Sequence, residues 1–529
     1  MTTANCLIHH FLEKSARSSP DKTAVVHERR RAGYSDINRW ANQLAHGLIK
    51  EGVRPGDRVV LLCENSIEYV FCYYGILKAG GIVASLNTDI KPDGLAQLVK
   101  ELVPKALVVS AKLGKTARSL DLPLYGAGCL LVIGPRPAWR STGDAISQLP
   151  EEVAAQPDTN PGLAIDPLSC AAIIYTSGSA GKPKGVMLSH ANIVTNTWSI
   201  VEYLELTSSD VQMVVLPFFY VMGKSLLNTH FAVGGTVIIN NKFAYTASVL
   251  KQIAEEGVTG FSGVPSTYAH LLFKSPLAAY RDKLPALRYC SQAGGHMPKH
   301  VKLELLKALP RHTRLFVMYG ATEASARLTF VPPDLLGSKI DSIGIPISGV
   351  TMKISSPEGK ALGPGEIGEL IAQGDNIMLG YYKDADATNG VLDRNGYHTG
   401  DFGYVDDEGF FYVTGRKDDQ IKVGGHRLNP REIEDIVIES GQAVECIMFA
   451  IKDAIMGHKL AGLVVPIRET TETRRAILDY CIQKLPKYKV PASLLMVETI
   501  PKNSSGKPDR LKSLELYEKS AGKEAGDRD

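Results

Sequence analysis

Between residues 21 and 87 amphipathic stretches alternate with short apolar runs, and this rhythm limits the fold more than any other feature of the chain. Ser35 is placed to cap a helix with Ile37, Trp40, Leu44 and Leu48 on one face. Gly52 suits its end, and Pro55-Gly56-Asp57 turns into the apolar run 58–63. Asn65 or Ser66 can cap a second helix carrying Val70, Phe71, Tyr74 and Leu77, and the chain returns through Gly80-Gly81 into Ile82-Val83-Ala84. Strand, crossover helix and strand in succession build a parallel sheet covered by helices. A second rhythm of the same kind starts at Cys170 and runs to about residue 318. Beyond Asp341, short strands between Gly and Pro turns predict a β-rich unit. After Arg416 come a helix from about Pro430, a strand near 446–451 and a helix near 474–485. The expected architecture is α/β. A large N-terminal domain at 1–417 holds two βα-rich sheet subdomains, about 1–165 and 166–340, and a β-rich subdomain at 341–417; a small α+β domain at 418–529 follows.

At 529 residues the chain has length for three or four such units. Lys and Arg number 59 against 56 Asp and Glu, so no general field draws it to nucleic acid or to an anionic membrane, and any anion chemistry must be local. The eight cysteines are scattered without a C-x-x-C pair and read as reduced thiols. The apolar stretch 69–86 is broken by Lys78 and three glycines and falls short of a membrane span, and the first residues lack the apolar core of a signal peptide. The expectation is a soluble cytoplasmic protein, monomeric or homodimeric, with no nucleic-acid partner.

The most informative local segment is YTSGSAGKPKG at 175–185. It follows the apolar run Ala171-Ala172-Ile173-Ile174 and precedes a stretch with Val194, Trp198, Val201 and Leu204 at helical spacing, which predicts strand, loop and helix. Glycines let backbone N–H groups converge on phosphate oxygens. Thr176, Ser177 and Ser179 add hydroxyls, and Lys182 and Lys184 add charge. Pro183 after Gly181-Lys182 excludes a Walker loop. Taken alone, the segment is either a phosphate loop or a surface loop.

Together with four later motifs, this loop resembles the adenylate-forming superfamily of acyl-CoA and aryl-CoA synthetases, beetle luciferases and peptide-synthetase adenylation domains, nearest to the AMP-forming acid:CoA ligases. The resemblance covers essentially the whole chain. It implies that Thr176, Ser177, Gly178, Ser179, Gly181, Lys182 and Lys184 cradle the phosphates of ATP. In YGATEAS at 319–325, it implies that Tyr319 and Gly320, with Met318 before them, line the adenine, that Thr322 meets the α-phosphate and that Glu323 binds Mg²⁺. Gly295 and His296 resemble a further adenine wall. In YHTGD at 397–401, Asp401 would hold the ribose hydroxyls, and a carboxylate suits two O–H donors because it only accepts. Arg416 would meet the ribose or α-phosphate, and Asp418 would be the hinge of a mobile C-terminal domain. Lys507, in PKNSSGK, would bridge the acid and the α-phosphate during catalysis. After the domain swings, Gly424 and Gly425 would border the thiol channel. In isolation each motif has a plain reading, a helix cap at Thr322-Glu323, a turn at Asp401 and a solvated lysine at 507; their order and spacing set them apart.

The implied reaction joins a small carboxylic acid to AMP and passes the acyl group to CoA, with ATP and Mg²⁺ required. The alternative acceptor is the phosphopantetheine of a carrier protein, or another nucleophile. Phe219, Tyr220, Gly263, Val264 and Gly294 are the expected acyl pocket. Here the chain departs from the common pattern, since Tyr220 stands where many acyl-CoA synthetases have His. No aspartate occurs between Leu216 and Asn228, so the buried ammonium of an α-amino acid would lack a partner.

Overall fold

The structure is a computed structural model and describes residues 6–114, 129–133, 151–176, 183–416, 421–423, 426–453, 457–502 and 507–526. The helix Tyr34–Lys50 buries Ile37, Trp40, Leu44 and Leu48 as their spacing requires. Its N-cap is Gly33 and not Ser35, because the Asp36 carboxylate turns back to accept the Gly33 N–H at 3.3 Å. Ser66 caps the next helix, Ile67–Lys78, by accepting the Tyr69 N–H at 3.1 Å. Every residue of that helix is buried, which explains why it is apolar all round and not on one stripe. Its one cation, Lys78, is fully paired: Nζ reaches Glu13, Asn38 and Asn42 at 2.8 Å and Asn160 at 2.7 Å.

Two large sheets organise the N-terminal domain. The first runs Ile345–Pro346, Thr329–Val331, Arg314–Tyr319, Tyr289–Gln292, Gly260–Gly263, Val211–Val214, Thr236–Ile239, Thr23–His27 and Arg30–Gly33. The second runs Gly380–Tyr381, Lys184–Ser189, Cys170–Thr176, Ile82–Ser85, Arg58–Leu62, Ala106–Ser110 and Cys129–Ile133. The sheets exchange segments across the 165/166 boundary read from the sequence. Thr23–His27 pairs in parallel with Thr236–Ile239, whereas Cys170–Thr176 pairs in parallel with Ile82–Ser85. A third, antiparallel sheet is built from Val350–Ser355, Gly368–Gly374, Gly396–Val405, Leu392–Asp393 and Phe411–Arg416.

The predicted strand, loop and helix at 175–185 needs correction. Cys170–Thr176 and Lys184–Ser189 form an antiparallel hairpin, Thr176 opposite Lys184, and the helix His190–Leu204 begins only after the second strand. The run Gly185-Val186-Met187-Leu188 satisfies its backbone against Tyr175, Ile174, Ile173 and Ala172, so it extends the sheet. Among the described residues the segment that follows the loop is thus a strand, Lys184–Ser189, and not the N-terminus of a helix.

After the third sheet, the helix Pro430–Glu439 packs with Lys299–Ala308, and their apolar faces join Ala443–Asp453 and Thr473–Lys484 in one core cluster. Lys274 Nζ donates to the carbonyls of Pro466 and Ile467, both at 3.1 Å, from one domain to the other. Among the described residues no helix is long and apolar enough to cross a membrane.

Candidate active site

In sheets of this kind ligands lie outside the carboxyl ends of the strands. Four neighbouring parallel strands of the first sheet deliver the expected residues there. Val211–Val214 leads to Phe219 and Tyr220, Gly260–Gly263 to Val264, Tyr289–Gln292 to Gly294, Gly295 and His296, and Arg314–Tyr319 ends at Met318 and Tyr319. The Phe219 and Tyr220 rings lie 4.5 Å apart between centroids. A Cβ on Gly263 would stand 2.7 Å from Thr267, and one on Gly294 would stand 3.2 Å from Val264, so both positions are held small by their neighbours. Phe218, beside them, belongs to the core: it is fully buried against Tyr69, and its N–H donates to Asn65.

After Tyr319 the chain makes a tight 3₁₀ turn at Thr322–Ala324 and folds back, so that the Leu328 N–H reaches the Tyr319 carbonyl at 2.9 Å. Ser325 and Ala326 both take positive φ, 57° and 128°, a conformation costing on the order of 1–3 kcal/mol per non-glycine residue and retained mostly at functional sites. The turn leaves no room at Gly320, where a Cβ would lie 2.1 Å from the Ala326 carbonyl oxygen. Gly320→Ala is expected to cost about 1–3 kcal/mol through overpacking, seen as a lower melting temperature; an unchanged melt would contradict this reading of the turn.

The turn points Glu323 at Tyr381, whose hydroxyl donates to Oε1 at 2.8 Å. Burial and the neighbouring Glu323 carboxylate raise the Tyr381 hydroxyl above the usual phenol range, so it stays a donor. The Lys184 ammonium lies 4.9 Å from the centre of the same ring. Tyr381 thus ties the phosphate-loop hairpin to Glu323, and nothing in its local sequence marked it.

Asp401 is buried, and Gly400 before it takes φ 71° to turn the chain. One Asp401 oxygen accepts the Tyr319 hydroxyl at 2.5 Å and the other accepts Arg416 Nε at 2.8 Å. Asp401 raises the Arg416 guanidinium, and burial followed by Asp401 raises the Tyr319 phenol, so both remain donors to the carboxylate. Tyr319 therefore contributes its side chain as well as the adenine-facing backbone read from the sequence.

Lys507 comes from the other domain. Its loop is closed by the Lys502–Pro508 bridge, by Asp509 N–H donating to Pro501 at 2.8 Å, and by Lys502 reaching Glu445 at 3.0 Å. Lys507 is exposed, with charged groups of the other domain close enough to act on it. Burial, then Arg416 and Arg431, lower its pKa from the ordinary lysine value, while Asp401 and Glu323 hold it up. Four segments, the outermost residues 184 positions apart in sequence, thus bring the charges of Glu323, Asp401 and Arg416 to bear on Lys507. His296 faces the same interdomain seam, its Nε2 lying 2.9 Å from Asp435 Oδ2 on Pro430–Glu439.

Thr176, on the hairpin, donates to the Lys184 carbonyl at 3.5 Å. Ser177, Gly178, Ser179, Gly181 and Lys182 of the phosphate loop, Asp418 of the hinge, and Gly424 and Gly425 of the thiol channel lie outside the described residues.

Comparison with known proteins shows the family. Residues 12–382 match the family model described as AMP-binding enzyme, and residues 432–507 match the AMP-binding enzyme C-terminal domain. A 2-succinylbenzoate–CoA ligase from Bacillus cereus (strain AH820) is 28% identical over 96% of this chain and 98% of its own. A feruloyl-CoA synthase from Amycolatopsis sp. is 30% identical over 93% of this chain and 96% of its own. The crystal structure of the anthranilate CoA ligase AuaEII with anthranoyl-AMP superimposes with a TM-score of 0.85 at 25% identity, covering 97% of this chain and 98% of the other. With most of the chain matched by these two models and relatives of this kind aligned along nearly its full length, the chain belongs to the AMP-binding enzyme family, the adenylate-forming superfamily that includes the acid:CoA ligases.

Proposed function

We propose that this protein is an AMP-forming acid:CoA ligase acting on a small carboxylic acid in the cytoplasm. The observation that supports it best is the convergence of Glu323, Asp401 and Arg416 from one domain on Lys507 from the other. In the first step an oxygen of the acid attacks the α-phosphorus of ATP. An acyl O–P bond forms, the bond from α-phosphorus to the bridging oxygen breaks, and pyrophosphate leaves. Such a reaction needs positioning and charge stabilisation and no protein nucleophile. Asp401 would accept the ribose hydroxyls, and Arg416, already fixed on Asp401, would sit beside the ribose or α-phosphate. Lys507 would place its ammonium between the acid and the α-phosphate, which repel each other until a cation intervenes. Thr322 would touch the α-phosphate, and Lys184 the departing phosphates.

Glu323 suits Mg²⁺, a hard cation usually held by one or two carboxylates together with substrate phosphates. Its Oε1 is oriented by Tyr381, and among the described residues no trio of His, Cys, Asp or Glu is arranged to hold an ion, so the nucleotide would supply the remaining oxygens. When bound, the ion neutralises charge on the triphosphate. In the second step a thiol attacks the acyl carbon, the C–O bond to AMP breaks, and AMP leaves. That step would use the segment after the hinge, once the C-terminal domain has rotated and released contacts such as His296–Asp435. Mass spectrometry of the protein incubated with ATP, Mg²⁺, CoA and a panel of aryl and aliphatic acids tests this. An acyl-CoA is expected; an acyl-adenylate with no thioester would reject CoA as acceptor and favour a carrier protein.

A further inference from the structure

Lys224 is a buried cation for which the reaction above has no use. It sits in the first turn of Val221–Val233, directly after Phe219 and Tyr220, and is 2% exposed. Its ammonium donates to the Ser85 hydroxyl at 2.9 Å and lies 5.0 Å from the centre of the Tyr73 ring; no carboxylate pairs with it among the described residues. The contrast with Lys78 is direct, because that equally buried lysine has four oxygen partners, one of them a carboxylate. Burial alone pushes Lys224 down to about 7, so the neutral amine is accessible near neutral pH.

Lys224 also lines a small internal cavity with Val221, Ser225, Asn196 and Ser325. The cavity is about 10 Å³, the size of one water or one hydroxyl. It lies between the helix that follows the acyl-pocket residues and the residue that closes the Thr322–Ala324 turn. Asn196 is equally buried. Its Nδ2 is committed to the Arg327 carbonyl, which fixes the amide, and its Oδ1 has no hydrogen-bond partner among the described residues. A donor with spare N–H groups and an acceptor without a partner therefore share one water-sized space. A methyl group would leave both unsatisfied, and a carboxylate is too large and would face the Asn196 oxygen. A hydroxyl both accepts and donates, and it has the right size.

We infer that Lys224 and Asn196 form a specificity site for a hydroxyl group on the acid, alcoholic or phenolic, which accepts from Lys224 Nζ and donates to Asn196 Oδ1. This rests on the adenylating role proposed above and narrows its substrate to hydroxy acids. Sites built to hydrogen-bond a substrate hydroxyl reject the analogue lacking it, because their own polar groups are then left unpaired.

The test measures acid-dependent pyrophosphate release by the full-length protein on matched pairs. These are hydroxybenzoates, hydroxycinnamates and hydroxyalkanoates against their parent acids, with dicarboxylates of similar length alongside. At least one hydroxy acid is expected to exceed its parent by about tenfold or more in kcat/KM. Lys224→Met should bring that ratio close to one while sparing the parent acid and the KM for ATP. It removes a buried amine of which most donors are idle, so the variant should fold, and its melting temperature checks that. Lys224→Gln, which can donate without charge, should retain part of the preference. A wild type that prefers the parent acids or the dicarboxylates, or a Lys224→Met that slows both members of each pair equally, would overturn the inference. Pyrophosphate release from no acid at all would instead reject the adenylating role, and the inference with it.

Discussion

Replacing Lys507 with alanine is expected to slow acid-dependent adenylation by about 10²–10³-fold, the usual cost of deleting one preorganised group that stabilises transition-state charge. The effect should fall on kcat more than on the KM for ATP, because the lysine meets charge that develops during attack on phosphorus. The melting temperature should barely move, since Lys507 keeps water contact at the end of a closed loop and packs little apolar surface. Thioester formation from a supplied acyl-adenylate should survive, because that step has no pentacovalent phosphorus to stabilise. The pH profile gives a second check. Burial and Arg416 lower the Lys507 pKa from the ordinary value of 10.5, and in the proposed mechanism the protonated form is the active one. Adenylation is therefore present at neutral pH and lost as pH rises through the lowered value, before free lysine would titrate. Equal loss in both half-reactions would contradict the assignment.

Asp401→Ala should raise the KM for ATP by on the order of 10²-fold, as expected for two hydrogen bonds to a charged acceptor with partial replacement by water. In the proposed mechanism it removes the acceptor of the ribose hydroxyls, and it frees Tyr319 and Arg416, which Asp401 now holds at 2.5 and 2.8 Å. Arg416 is half exposed and water takes up its charge, so the loss of stability should be small beside the loss of nucleotide binding. The specific signature is discrimination. Wild type should prefer ATP over 2′-deoxy-ATP, and Asp401→Ala should treat the two nearly alike. A variant that weakens both nucleotides by the same factor would place Asp401 outside the ribose site.

Much of the fold was legible because local patterns follow periodicity. Ile37, Trp40, Leu44 and Leu48 sit one helical turn apart, and Gly52, at φ 85°, ends that segment as glycine allows. Sheet membership was not legible. The pairing of Val25 with Val237 joins residues more than two hundred positions apart, and no local pattern records which strand lies beside which. The strand Lys184–Ser189 is hidden for a related reason: a short apolar run such as Val186-Met187-Leu188 beside a helical pattern is ambiguous until its partner strand is known.

At the site, Glu323, Asp401, Arg416 and Lys507 stood out through the order of their motifs, and in the structure the charges of the first three act on Lys507. Tyr381 and the His296–Asp435 contact were hidden, since each exists only through tertiary approach. Lys224 left a trace in the sequence, a single cation in the otherwise uncharged helix VMGKSLLNTHFAV, but its meaning needed the burial and the cavity beside it.

ATP–pyrophosphate exchange tests adenylation most directly. With Mg²⁺, ATP, labelled pyrophosphate and a pool of carboxylic acids but no CoA, label should enter ATP only when acid is present, and Lys507→Ala should abolish most of the signal. Formation of ADP and free phosphate, or exchange that ignores the acid, would contradict the assignment of this site to acyl-adenylate chemistry.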